Sequence, residues 1–183
     1  MSNKTTRDRV NPEKIDTTPV RRPAWIKVRA PEGETYSWLK ELMQRKALHT
    51  VCEEANCPNM GECWGSGTAT FLILGDICTR RCGFCDVKRG VPLPIDEEEP
   101  ERVVQAVKAM ELKHAVITSV DRDDDILGGA RIFANIVHRI HAEVPGCSIE
   151  VLIPDFRANP EALRLIMLEH PEILNHNVET VLR

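Results

Sequence analysis

Residues 69–85 read ATFLILGDICTRRCGFC. Ala69 to Leu74 form an apolar run of strand length, and Gly75-Asp76 ends it with turn residues. The loop that follows carries Cys78, Cys82 and Cys85, with three and two residues between them. A buried strand that delivers three thiols into its exit loop points to chemistry at strand ends. The question is then whether the chain around it builds a sheet of such strands.

Downstream it does. PERVVQAVKAM (100–110) predicts a helix, HAVITSV (114–120) a second strand, and GARIFANIVHRIHAEV (129–144) a helix with Ile132, Phe133, Ile136, Val137 and Ile140 on one face. SIEVLI (148–153) reads as a strand, and PEALRLIMLEH as a helix with Asn159 as N-cap and Pro160 in the first turn. ILNHNVETV, from residue 173, begins a fourth strand. Strand alternating with helix at this spacing implies a parallel sheet, whose ligand site lies at the C-terminal ends of the strands. Gly75-Asp76, the run from Ser119 to Asp124, Asp155, and the segment from Asn175 to Thr180 all fall at that edge. Polar residues also populate ordinary loops, and this accounts for most of them.

Upstream, residues 1–21 are polar and aperiodic and read as a flexible tail. Residues 22–67 form an N-terminal extension. Within it YSWLKELMQRKAL (36–48) spaces Trp38, Leu39, Leu42, Met43 and Leu48 as a helical docking stripe. The segment from Val51 to Gly67 is rich in Asn, Gly, Glu and Pro, which predicts a loop without regular structure, and it bears Cys52, Cys57 and Cys63. The α/β unit then occupies residues 68–183.

Composition bounds the partners. The 183 residues are 42% hydrophobic and 28% charged, ordinary for one domain, and only 4% aromatic, so the core is aliphatic and stacking platforms for nucleic acid are not expected. A net charge of −4 argues against a general polyanion binder. No apolar stretch approaches the ~18 residues that span a bilayer, and no membrane partner is expected. The N-terminus lacks the apolar core of a signal peptide, while Asp8, Glu13 and Asp16 oppose a transit peptide, so the expected location is the cytoplasm. Seven cysteines in that reducing compartment point to metal ligation or catalysis rather than disulfides. Cys147 stands apart from the other six and reads as a small buried hydrophobe.

Thiolates are soft ligands that suit zinc or iron-sulfur clusters. Structural zinc prefers four ligands, and Cys82 with Cys85 has no second pair nearby. Three thiolates fit a four-iron cluster better, leaving one iron without a protein ligand and open to chemistry. The upstream trio, Cys52, Cys57 and Cys63, has four and five intervening residues. Zinc stays open as an occupant of that one.

The CTRRCGFC loop, with Phe84 before the last cysteine and a first strand just ahead, resembles the radical S-adenosylmethionine superfamily. With WIKVRAP, GETYSWLKELM, LHTVCEEANCPNMGECW, ITSVDRDD, IEVLIPDF and HNVETV added, the chain from about Arg22 onward resembles the lipoyl synthases. The resemblance implies a partial TIM-type barrel of six βα units, present here to about its first four strands, behind a cysteine-bearing extension. It implies two 4Fe-4S clusters, one on Cys78, Cys82 and Cys85 and an auxiliary one on Cys52, Cys57 and Cys63. In the superfamily the open iron of the first chelates S-adenosylmethionine, and an electron from it yields methionine and a 5′-deoxyadenosyl radical. In lipoyl synthases the auxiliary cluster surrenders sulfur, so that two sulfur atoms enter at carbons six and eight of a protein-bound octanoyl chain.

By the same resemblance Phe84, Ser119, Asp121, Asn177 and Glu179 lie on segments that approach the bound nucleotide. The implied partners are octanoylated lipoyl domains of 2-oxoacid dehydrogenase complexes or the glycine cleavage H protein, and an electron donor such as flavodoxin or ferredoxin. Arg80 and Arg81 read as solvated surface charge, with docking of an acidic lipoyl domain as the other reading. The chain departs from the family at Asp125-Ile126-Leu127, where Leu-Pro-Asp is usual, and at Leu182, where proline is usual. The family's second half, including an Arg-Ser-Ser-Tyr motif that completes the auxiliary cluster, has no counterpart in these residues. A truncated chain that binds clusters or zinc without turnover is therefore the alternative expectation.

Overall fold

A computed structural model describes residues 34–54, 57, 59–65 and 70–179. The expected polar tail, the start of the extension and Leu182 lie outside the described residues.

The described chain opens with α1 (Glu34–Arg45), β1 (His49–Thr50) and two short helices, α2 (Val51–Glu54) and α3 (Met60–Gly65). The α/β unit follows as β2 (Thr70–Ile73), β3 (Ile77–Cys78), β4 (Lys88–Arg89), α4 (Glu99–Ala109), β5 (His114–Ser119), α5 (Ile126–Glu143), β6 (Ser148–Leu152), α6 (Pro160–Met167) and β7 (Ile173–Asn175). The main sheet has the order β1-β2-β5-β6-β7. Strands β2, β5, β6 and β7 are parallel, whereas β1 pairs antiparallel to β2 with His49 opposite Leu72. This is the expected α/β order, with one further strand contributed by the extension. Among the described residues no helix is long and apolar enough to cross a membrane.

Strand alternation sorts the sheet into two faces. Phe71, Ile117 and Val151 lie in register across three strands, and all are fully buried. They join one core with Val103, Val104 and Val107 of α4, Ile132, Phe133, Ile136 and Ile140 of α5, and Ile166 of α6. Each such side chain contributes about 1.5–3 kcal/mol on burial. The core is aliphatic, as composition required; its two buried phenylalanine neighbours, Phe133 and Phe156, meet edge to face with centroids 6.3 Å apart.

Three sequence expectations need correction. The cysteine-bearing segment is not irregular, because Thr50, fully buried, caps α2 by accepting from the Glu53 amide at 3.2 Å, and the Asn59 carbonyl accepts from the Glu62 and Cys63 amides at the start of α3. In α1 the docking stripe is real for Leu39, Leu42 and Met43, but Trp38 is 39% exposed and Leu48 lies beyond the helix end. Helix α5 starts at Ile126, not at residue 129, because Asp125 takes the N-cap and accepts from the Gly128 amide at 2.8 Å. Gly128 and Gly129, which look like helix breakers, are buried there. A Cβ on Gly129 would come within 3.2 Å of a methyl of Leu74, so the helix start packs closely against the exit of β2.

Candidate functional site

Strand β2 ends in a turn that its own residues do not favour. Leu74 has φ +70 and Gly75 φ +88. A leucine in the left-handed region is costly, by roughly 1–2 kcal/mol, and persists only where the surroundings hold it. Here Glu99, 3% exposed at the start of α4, accepts from the Leu74 amide at 2.8 Å, and Arg122, 6% exposed, donates to the Leu74 carbonyl at 3.4 Å. Burial pushes the Glu99 carboxyl up, while the amides of Leu74 and Gly75 pull it down. The turn sends Asp76 and β3 away from the sheet.

The cysteine loop is closed at its base. Strands β3 and β4 pair in parallel, with Ile77 beside Lys88 and Cys78 beside Arg89, and the Gly90 amide donates to the Cys78 carbonyl at 3.1 Å. Between them Cys78, Cys82 and Cys85 sit on a ring of backbone, with the Cys85 amide bonded to the Cys82 carbonyl at 3.3 Å and the Arg80 amide 3.4 Å from Cys78 Sγ. Burial pushes the Cys82 thiol up, and the neighbouring Cys85 adds to this. Cys85 is exposed and Phe84 is 70% exposed, so the ring is open to solvent on that side.

Thr79 and Arg80 weld this ring to the main sheet. The Thr79 amide and hydroxyl both donate to the Asp121 carbonyl, at 3.1 and 2.9 Å, and the Asp123 amide donates back to the Thr79 hydroxyl at 3.2 Å. Arg80 then gathers carboxylates from two strand ends. It binds Asp123 through Nε at 2.9 Å and a terminal nitrogen at 2.7 Å, reaches Asp155 at 2.6 Å, and has Asp121 at 3.4 Å. The expectation that Arg80 is solvated surface charge is therefore wrong. Three aspartates at strand ends were visible in the sequence; that one guanidinium joins them was not. Arg81, by contrast, is exposed. Arg80 holds the Asp155 carboxyl down to about 2, and Asp123 is lowered by the same guanidinium.

The residues expected near a nucleotide fall as follows. Ser119 ends β5 opposite Ile73, and its Oγ is buried with no hydrogen-bond partner. The Asp121 carboxyl is pushed up by burial, against the pull of Arg80. Glu179 has φ +52 and lies close enough to act electrostatically on both Asp121 and Cys82. Asn177 is exposed on the same segment. Cys82, Asp121 and Glu179 thus feel one another's charge, and Ser119, two residues before Asp121, carries a buried hydroxyl that lacks a partner. An orphaned polar atom of this kind suits a ligand that carries its own donors and acceptors.

Residues 72–183 match the radical SAM superfamily. The chain belongs to that superfamily. Radical SAM membership implies a 4Fe-4S cluster and S-adenosylmethionine. The donor chemistry fits. Thiolates are soft donors of the kind an iron-sulfur cluster takes. Among the described residues the ligand atoms that lie mutually within 4.8 Å are those of His49, Glu54 and Asp76.

Residues 2–57 match the N-terminal domain of lipoyl synthase of the radical SAM family. The chain is 56% identical over 174 residues to a lipoyl synthase of Chloroflexus aggregans (strain MD-66 / DSM 9485), covering 95% of this chain and 57% of that relative. It is 55% identical over 165 residues to a lipoyl synthase of Koribacter versatilis (strain Ellin345), covering 90% and 54%, and 54% identical over 171 residues to one of Roseiflexus sp. (strain RS-1), covering 93% and 57%. The chain spans somewhat more than half the length of these curated relatives.

Proposed function

We propose that the protein is a lipoyl synthase, inserting two sulfur atoms at carbons six and eight of an octanoyl group held on a protein. The observation that carries this reading is the second trio. Cys52 lies on α2, which packs on β1 and β2, the strand that feeds the Cys78 loop. The Cys57 amide bonds the Cys52 carbonyl at 3.0 Å, and Cys63 lies on α3, which packs on α1. A radical SAM chain needs one trio for its cluster, and this one presents two on adjoining elements.

In this reading Cys78, Cys82 and Cys85 hold the superfamily cluster, and Cys52, Cys57 and Cys63 hold an auxiliary 4Fe-4S cluster. Bound there, the two groups supply the electron that cleaves S-adenosylmethionine and the sulfur that reaches carbon. The chain's own residues position and shield. Thr79 and Arg80 keep the cysteine ring on the strand ends; Ser119 offers its unpartnered hydroxyl to S-adenosylmethionine, and Asp121 and Glu179 flank it with carboxylates. Phe84 covers an apolar part of the ligand and excludes water from a radical that water would divert. The substrates would be octanoylated lipoyl domains of 2-oxoacid dehydrogenase complexes or the glycine cleavage H protein, the reductant a flavodoxin or ferredoxin, and the compartment the cytoplasm.

Anaerobic reconstitution with iron and sulfide tests the reading. About eight irons and as many labile sulfides per chain are expected, falling to about four when Cys52, Cys57 and Cys63 are replaced by Ala. Cysteine-to-alanine changes at Cys78, Cys82 and Cys85 should abolish 5′-deoxyadenosine formation. Zinc without labile sulfide at the second trio, or 5′-deoxyadenosine formed without Cys78, would refute it.

A further inference from the structure

Four side chains from separate segments meet between the two cysteine-bearing regions. Glu54 closes α2 two residues after Cys52, and its carboxylate lies 3.2 Å from Nδ1 of His49 and 3.7 Å from Nζ of Lys88. The same ammonium donates to Asp76 at 2.7 Å. The ligand atoms of His49, Glu54 and Asp76 lie within 4.8 Å of one another, and Lys88 is the cation that answers them. Lys88 belongs to the neck of the other region, since it pairs with Ile77 while its neighbour Arg89 pairs with Cys78. One contact therefore ties the helix of the first trio to the base of the ring that carries the second.

Helix α2 needs such a tie. It has four residues, far below the ~12–15 at which a helix holds itself in water, so its position depends on what grips it. The Thr50 cap grips its first turn, the buried Cys52 anchors its middle, and Glu54 is the contact at its end. The Glu54 side chain is 16% exposed and that of Lys88 65%, so the lysine reaches in from solvent to a largely enclosed partner.

We infer that Lys88 is a positioning residue that, through Glu54, locks the Cys52 helix onto the neck of the Cys78 ring and so sets the spacing between the two cysteine trios. This rests on the reading that both trios hold clusters. A donor of sulfur and a generator of radicals must be held in register, because displacement of reacting groups by about an ångström costs orders of magnitude in rate. A partly exposed ion pair adds little to global stability, so its effect is local.

The test is thiol alkylation of the full chain before loading, resolved by mass spectrometry, with Cys147 as internal control because it is 5% exposed just before β6 and Cys52 is 7% exposed. Lys88→Met and Glu54→Gln should each speed Cys52 alkylation by about fivefold, the double variant no more than either, and Lys88→Arg not at all, with Cys147 unchanged throughout. After loading, in a background with Cys78, Cys82 and Cys85 changed to Ala, Lys88→Met should speed iron loss to a chelator by a similar factor. An unchanged Cys52 rate, a Cys52 rate rising in step with Cys147, or multiplicative effects in the double variant would overturn the inference. Zinc without sulfide in the parent, alongside the expected alkylation pattern, would support the joint and overturn the cluster reading alone.

Discussion

A terminal nitrogen of Arg80 lies 2.6 Å from Oδ1 of Asp155, joining residues 75 apart in the chain. Arg80 sits between the first two cysteines of the ring, and Asp155 follows β6, so the contact makes the sheet's third parallel strand a support for the first strand's loop. The same guanidinium grips Asp123 in a two-point fork. Lysine has no such fork.

Arg80→Gln should leave iron loading intact and weaken S-adenosylmethionine binding by about tenfold, because the ring is no longer pinned to the segment carrying Asp121. Charge-assisted bonds contribute about 1.5–3 kcal/mol when enclosed; with Arg80 26% exposed and Asp155 half exposed, a loss of about 1–2 kcal/mol in stability is expected. Equilibrium binding on the reconstituted chain and denaturant unfolding check the two parts, and Arg80→Lys should recover only a fraction of either.

Acid should dissect the same network. Arg80 holds the folded Asp155 carboxyl at about 2, below its ordinary 3.8, so the pair's stabilisation is present above about pH 4 and is lost as pH falls towards 2. Asp155→Asn removes that contribution. Its urea midpoint should lie below the parent's at pH 5, and the two should converge as pH approaches 2; parallel curves would contradict the assignment.

After Asp155 the backbone turns through Phe156, Arg157 and Ala158 with φ of +46, +51 and +57. Ala158→Gly should relieve strain there and raise stability by about 0.5–1 kcal/mol, measured as a rise in Tm. Ala162→Gly, in the buried face of α6, should lower it by about 1 kcal/mol, which separates relief of strain from a general effect of glycine.

The paired glycines at the start of α5 should respond differently. In Gly128→Ala the new Cβ would fall 2.1 Å from the Asp125 carboxylate that caps the helix, so the cap is lost and stability falls by about 1–2 kcal/mol despite the better helix former. Gly129→Ala meets the end of Leu74 at 3.2 Å and Cβ of Arg122 at an ordinary 3.9 Å, and gained helix propensity should offset the crowding to within about 0.5 kcal/mol. Thermal unfolding of both variants gives the comparison.

Much of this was legible in the chain because it is local. A continuous apolar run marked β2, apolar patterning marked β5, β6 and α4 to α6 within a few residues, and the cysteine spacing marked both trios. Cys147 reads as a buried hydrophobe and is one. What escaped depends on contacts between distant residues. Ile126 to Gly128 fell outside the expected helix because propensity does not show that Asp125 caps it there. Arg80 looked like surface because its three aspartates lie 41 to 75 positions away, and α2 and α3 looked irregular because each is too short to show a period.

The bond between Leu74 and Glu99 spans 25 residues and ties the exit of β2 to the first residue of α4. The whole excursion between them, cysteines included, thus leaves and rejoins the sheet at one place, like a cassette clipped at its mouth. The entropy of closing such a loop grows only as the logarithm of its length, about 0.6 kcal/mol per doubling. Length can therefore change at little cost in the exposed stretch around Val91 and Leu93, whereas Thr79, Arg80 and Lys88 fix the cysteine-bearing part by their contacts.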